Sequence, residues 1–309
     1  MKKTLVLLFF LLGLSSLYSQ NEHQIAAEDL ATLSTMEDTL ALLAFAIVND
    51  SLEEHRFGSC REMIPRLVTA LKTKNSFQYP FERLKSVSIQ YPQDSSFRVF
   101  TWQLYVDVDD YRYYGAIQMN TPDLQLFPLI DRSANMEANL EQAVLNNEKW
   151  YGSVYYNIKE EETDQGKHYL LFGFDGYSFF RKRKIIDVLI FQNGKPTFGA
   201  PVFFNATDRR GPKFRIVKEY SAEASIRMNY DELMEMIIFD HLITLNGPHG
   251  EGPTNYPDGS YEGYEWTDGK WLYVEKIFHQ SSDEAPRPFP VLEGQQKTIF
   301  GKSKKGGRP

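Results

Sequence analysis

Residues 97–118 read FRVFTWQLYVDVDDYRYYGAIQ. Two aromatic and β-branched runs, 97–105 and 111–119, flank the acidic stretch 107–110, and their apolar and polar side chains alternate with a period of two. A reversal this short joins antiparallel strands, because a parallel pair needs a crossover of a dozen or more residues. The stretch therefore reads as a β-hairpin, and the same grammar continues downstream.

Working outward, strands are predicted at 86–91 and 124–129 beside this hairpin. Others follow at 151–159, 168–174, 185–191, 197–204, 214–220, 224–230, 236–245, 261–266 and 271–277. Asn193-Gly194 and Asp268-Gly269 each sit between apolar runs, where the positive backbone angles of a two-residue hairpin favour these pairs. A short helix is predicted at 136–145. The expectation is a mainly β fold after Pro80, a long antiparallel meander forming a curved sheet, a sandwich or a barrel-like closure. No repeat of fixed period points to propeller blades.

Upstream, Leu30, Leu33, Leu40, Leu43, Ala44 and Ile47 recur at helical spacing, and Asn49 and Asp50 end the pattern. A second stripe carries Cys60, Met63, Ile64, Leu67, Val68 and Leu71. Ser59 and Glu62 have the spacing of a capping box, and Pro65 should either kink this helix or restart it. The result is an N-terminal helical hairpin over 20–79, packed on a β domain over 80–280.

The first residues have the form of a secretory signal peptide. Lys2 and Lys3 precede an apolar run at 5–14, and small and polar residues follow at 15–19. The run is shorter than the ~20 residues of a membrane anchor, so cleavage near Ser19 and release to the periplasm or exterior are expected. No later segment reads as transmembrane. Loss of the two lysines moves the formal charge from -7 to -9. Residues 294–309 hold five cations and no acid, leaving -14 over 20–293. An acidic body argues against a nucleic-acid groove, which needs clustered cations. The basic tail at 281–309 is expected to be disordered. Cys60 is the only cysteine, which rules out an intramolecular disulfide and fits a packing role on an apolar stripe.

No motif assigns a reaction or calls for a cofactor. In Gly259-Ser260-Tyr261-Glu262-Gly263 the serine stands one place too early for a nucleophile elbow. Asp107, Asp109 and Asp110 begin like a calcium loop, but Tyr111 and Gln118 occupy ligand positions. They read as a hairpin tip, and Glu160, Glu161, Glu162 and Asp164 read as a solvated turn. The six histidines show no metal-binding helical spacing. Weak binding candidates are Asp240, His241, His249, Glu251 and Asp258, in or beside the Gly/Pro-rich loop expected at 246–259. Trp150, Tyr151 and Tyr113 join them, because paired aromatics such as Trp150-Tyr151, Tyr155-Tyr156 and Tyr113-Tyr114 place a ring on each strand face. Such rings either stack on a ligand or are covered by layers on both sides.

Residues 97–118, 169–187 (YLLFGFDGYSFFRKRKIID) and 236–271 (MIIFDHLITL, then PDGSYEGYEWTDGKW) resemble a family of uncharacterised exported, periplasmic or secreted β-rich bacterial proteins with no assigned activity. The resemblance covers most of the mature chain and implies export and β-richness. It brings over no catalytic or binding residue. Two functions are consistent with this reading. One is a binding or structural module of the cell envelope, partnered by glycan, peptide or protein. The other is a hydrolase of envelope polysaccharide or peptidoglycan using a carboxylate pair about 5–9.5 Å apart.

Overall fold

Both faces of the strand at residues 97–104 are buried, and the layering follows from that. Phe100, Trp102 and Leu104 pack against helices, whereas Phe97 and Val99 join Tyr113 and Ile117 on the opposite side. The computed structural model describes residues 24–136, 139–163, 166–247, 250 and 252–277. The expected leader at 1–19 and tail at 281–309 lie outside the described residues.

Two helices, α1 (Ala27–Asn49) and α2 (Glu53–Leu71), form the hairpin. Leu33, Leu40, Ala44 and Ile47 meet Cys60, Met63, Leu67 and Leu71 in one core with the first sheet. Full burial of each large apolar side chain stabilises the fold by about 1.5–3 kcal/mol. By length and composition α1 could cross a membrane, with a mean hydropathy of 1.4, yet one face of it belongs to this core. The second helix starts six residues before the proposed capping box, which places Ser59 inside it. Its entry is fixed instead by Asp50, whose Oδ1 accepts the Leu52 N–H at 2.9 Å, and by Arg56, which donates to the carbonyls of Asp50 and Ser51. The helix passes through Pro65 without restarting.

Three sheets follow. The first runs β1-β2-β3-β4, with β1 (Ser88–Gln90), β2 (Phe97–Asp107), β3 (Asp110–Met119) and β4 (Leu126–Ile130). The second runs β5-β9-β8-β7-β6, from β5 (Leu145–Asn146), β6 (Val154–Thr163), β7 (Gly166–Asp175), β8 (Arg181–Gln192) and β9 (Lys195–Phe198), and β11 (Arg215–Ser221) also pairs with β8. The third has the order β10-β15-β14-β13-β12, built from β10 (Phe203–Phe204), β12 (Met228–Asp231), β13 (Met236–Asn246), β14 (Pro253–Thr267) and β15 (Lys270–Val274). One face of the second sheet packs on the first through Tyr155, Tyr169, Leu171 and Leu189. The other packs on the third through Leu170, Phe172, Ile186 and Val188 against Ile237, Phe239 and Trp271. Hairpin and sheets are thus stacked in layers, and consecutive residues of the middle strands enter different cores.

The two hairpin turns form as read, with φ of 52° and 74° at Asn193 and Gly194 and of 49° and 76° at Asp268 and Gly269. Four readings are corrected. The strand expected at 197–204 breaks into β9 and β10, which belong to different sheets. Gly199 turns the corner at φ 101°, where a Cβ would lie 2.5 Å from the Ala143 carbonyl oxygen, and the short β10–β15 pair is parallel. In place of the helix expected at 136–145, of which 137–138 lie outside the described residues, there is one 3-10 turn, Leu140–Gln142, followed by β5; a second such turn, Ser133–Asn135, precedes the stretch. Asn139, at φ 57°, interrupts any helical path. The long loop expected at 246–259 is mostly strand, since β14 begins at Pro253. Glu160, Glu161 and Glu162 lie within β6 rather than in a turn, and Asp164 lies outside the described residues.

Candidate functional site

The chain leaves β7 at Asp175 and passes Gly176 and Tyr177 before β8 begins. Asp175 is only 3% exposed, and a buried carboxylate must be hydrogen-bonded to persist. Tyr113 Oη donates to it at 2.9 Å, Tyr151 Oη at 2.5 Å and the Tyr177 amide at 2.8 Å. Burial raises its carboxyl above the usual range, against the pull of those hydrogen bonds and of Arg183. Burial, and then the Asp175 charge, raises both phenols well above ordinary tyrosine values.

Arg183 connects this network to the surface. Its Nη1 donates to Tyr151 Oη at 3.1 Å, and its Nε and Nη2 donate to Glu219 Oε2 at 3.0 and 2.8 Å. Arg181 holds the other Glu219 oxygen at 3.0 Å. The Arg183 guanidinium carbon sits 3.3 Å from the centre of the Tyr177 ring. Tyr177 adopts φ 50° and remains 38% exposed. A bulky residue in the left-handed region is an outlier of the kind that gathers at functional sites.

In front of Tyr177 and Arg183 opens a cleft of about 520 Å³, within the range of small-ligand sites. Its other lining includes Glu141, Asp208, Arg210 and Lys213. Lys213 Nζ donates to Glu141 at 2.8 Å, and Arg210 grips Asp208 through Nε at 3.0 Å and Nη2 at 2.8 Å. The Arg210 side chain and amide hold the Asp208 carboxyl down at about 2.

A half-buried carboxylate and a buried guanidinium position the wall formed by residues 133–136 and 139–142. At one end Asp131 accepts from Ser133 N–H at 2.9 Å, from the Ser133 hydroxyl at 2.7 Å and from Tyr113 N–H at 3.0 Å. At the other, Arg215 donates through Nη1 to the carbonyls of Leu140 and Ala143 at 2.6 and 3.0 Å, while Nε holds Asp187 at 3.1 Å. Gly152 is required beside the first anchor, because a Cβ there would lie 2.5 Å from the Asp131 carboxyl carbon.

The residues singled out from the sequence are placed differently from expectation. Trp150, Tyr151 and Tyr113 are at most 3% exposed, so their rings are core and not stacking platforms; Trp150 and Tyr151 precede β6 instead of lying in a strand, and Trp150 and Tyr113 fill the core between the first and second sheets. Trp150 Nε1 donates to Tyr155 Oη at 2.7 Å. Tyr113 and Tyr151 contribute only through hydroxyls that hold Asp175. Asp240 is nearly buried and accepts the Arg227 N–H. His241 and Asp258 do meet, with Nδ1 and Oδ2 at 2.9 Å, and the Ser260 hydroxyl and amide donate to Asp258 Oδ1 at 2.7 and 2.9 Å. The carboxylate stands between imidazole and hydroxyl, whereas a hydrolytic triad needs the imidazole against the hydroxyl. His249 and Glu251 lie outside the described residues. No group of three or more potential His, Cys, Asp or Glu metal ligands gathers among the described residues.

Comparison with protein-family models, with curated proteins and with solved structures returned no match. The case for function therefore rests on the cleft itself. Sequence reading missed Tyr177, Arg183, Arg210 and Lys213, although the runs YSFFRKRK and DRRGPK are unusual concentrations of cations in an acidic chain.

Proposed function

We propose that the chain is an exported binding module of the cell envelope whose ligand is a glycan seated in the Tyr177 cleft. The observation that carries this reading is Tyr177 itself, an exposed ring held in a strained backbone conformation and backed by a guanidinium. An aromatic face surrounded by Arg, Lys, carboxylate and amide side chains suits a sugar, which offers an apolar ring face and a rim of hydroxyls.

Hydrolysis of the same polymers is the weaker reading. It draws on Glu141 and Asp208 facing one cleft, but a glycosidase needs one carboxylic acid held protonated as proton donor. Asp208 is depressed to about 2 by Arg210, and Glu141 is engaged by the Lys213 ammonium. Affinity electrophoresis of the mature protein through gels containing envelope polysaccharides tests the proposal. Retardation that Tyr177→Ala abolishes is expected; unchanged migration in every polymer, or retardation indifferent to Tyr177, would overturn it. Sequencing the amino terminus of the protein recovered from the envelope tests export, with Gln20 as the expected first residue.

A further inference from the structure

Charge distribution narrows the ligand class, an inference that rests on the glycan reading above. Residues 20–293 carry a net charge of -14, yet the cleft is lined by three cations, Arg183, Arg210 and Lys213, against two carboxylates, Glu141 and Asp208. The adjoining Arg181 and Glu219 cancel each other and the buried Asp175 lies behind Tyr177, so the excess of cations belongs to the cleft lining itself. A cationic cleft in an acidic body is a localised feature, and low-dielectric walls concentrate its field.

Each cation is braced from within the protein and keeps donors to offer. A guanidinium has five N–H groups and an ammonium three. Arg210 commits Nε and Nη2 to Asp208 and presents a side chain that is 70% exposed. Arg183 spends its bonds on Glu219 and Tyr151 without using every N–H. Lys213, paired with Glu141, is 24% exposed. Bracing of this kind reduces the ordering entropy that binding would otherwise cost. Cations outnumber carboxylates three to two in the lining, which suits an anionic group placed beside the ring that Tyr177 carries.

We infer that the cleft selects an acidic saccharide, a sugar whose ring lies on the face of Tyr177 away from Arg183 and whose carboxylate is received by Arg210 and Lys213. Charge-assisted hydrogen bonds to a carboxylate are roughly twice as strong as neutral ones, and exposed donors remain sensitive to salt.

Isothermal titration of the mature full-length protein with a hexuronate oligosaccharide and with its carboxyl-reduced, neutral counterpart tests the inference. We expect the acidic form to bind at least tenfold more tightly at 50 mM salt, with the advantage shrinking at 500 mM. Arg210→Ala and Lys213→Ala, both on the cleft rim, should bring the two affinities together while leaving the melting temperature unchanged. Equal binding of the two oligosaccharides in a Tyr177-dependent manner would overturn the acidic selectivity and leave the glycan reading standing. Absence of binding by both would remove both.

Discussion

Arg183 and Tyr177 pack against each other with the guanidinium carbon 3.3 Å from the ring centre, although Tyr177 must hold φ at 50° to be there. A non-glycine residue in that region costs roughly 1–2 kcal/mol. Tyr177→Gly is therefore expected to leave thermal stability equal or higher, because glycine occupies the conformation without penalty. Glycan binding should fall by tenfold or more. Differential scanning calorimetry and affinity electrophoresis on the same variant check both halves; a large loss of stability would mean that the ring serves packing.

Asp175 is held by two phenols and one amide, and an asparagine there offers a single acceptor oxygen and an unwanted donor. Asp175→Asn should destabilise the protein by about 3 kcal/mol, the scale for breaking a buried, hydrogen-bonded charge network. Tyr113→Phe should cost about 3 kcal/mol, since it removes the hydrogen bond to the Asp175 carboxylate and leaves the Gly176 N–H without its acceptor. Urea denaturation measures both. A cost near zero for either change would contradict the placement of the network.

Arg215 and Asp187 are paired at 0% and 1% side-chain exposure. Arg215→Met alone leaves a buried carboxylate without its partner and should cost about 3–5 kcal/mol. Combining it with Asp187→Leu should restore much of that stability. Binding should stay weakened in the double variant, because the carbonyls of Leu140 and Ala143 have lost the donor that fixes the cleft wall. Full recovery of binding would show that Arg215 serves only the core.

Acid sensitivity has a defined contributor in Asp258. The Ser260 hydroxyl and amide, with His241 adding to them, hold its carboxyl at about 2, below the ordinary value of 3.8. A carboxyl depressed in the folded state contributes stability above its unfolded value and loses it as pH falls through the folded one. The melting temperature of Asp258→Ala should therefore lie below that of the unaltered protein at pH 5. The gap should close between pH 4 and pH 2. A gap that persists at pH 2 would show that Asp258 acts through packing and not charge.

The β-strands were legible because aromatic and β-branched runs are punctuated at short intervals by turn residues, and the Asn-Gly and Asp-Gly turns carry their own backbone requirement. The start of α2 was not legible: Leu52, its N-cap, has no capping side chain, and Asp50 and Arg56 supply the partners from a distance. Nor was the corner at Gly199, which only the nearby Ala143 carbonyl makes necessary. The cleft was hidden for a different reason. Its pieces at 133–136, 139–142, 177–183 and 208–213 are far apart in the chain and are brought together by the fold. The buried Asp175 looks in sequence like any aspartate before a glycine turn. Trp150, Tyr151 and Tyr113 drew notice as aromatic pairs, and the core that buries Trp150 and Tyr113 is made by the first and second sheets together.

The most direct measurement is hydrogen exchange of the mature protein with and without a hexuronate oligosaccharide. Occupancy of the cleft predicts added protection in backbone amides at 175–183 and 139–142, with none around His241 and Asp258. Protection confined to the β13–β14 hairpin, or no change anywhere at saturating oligosaccharide, would contradict the account.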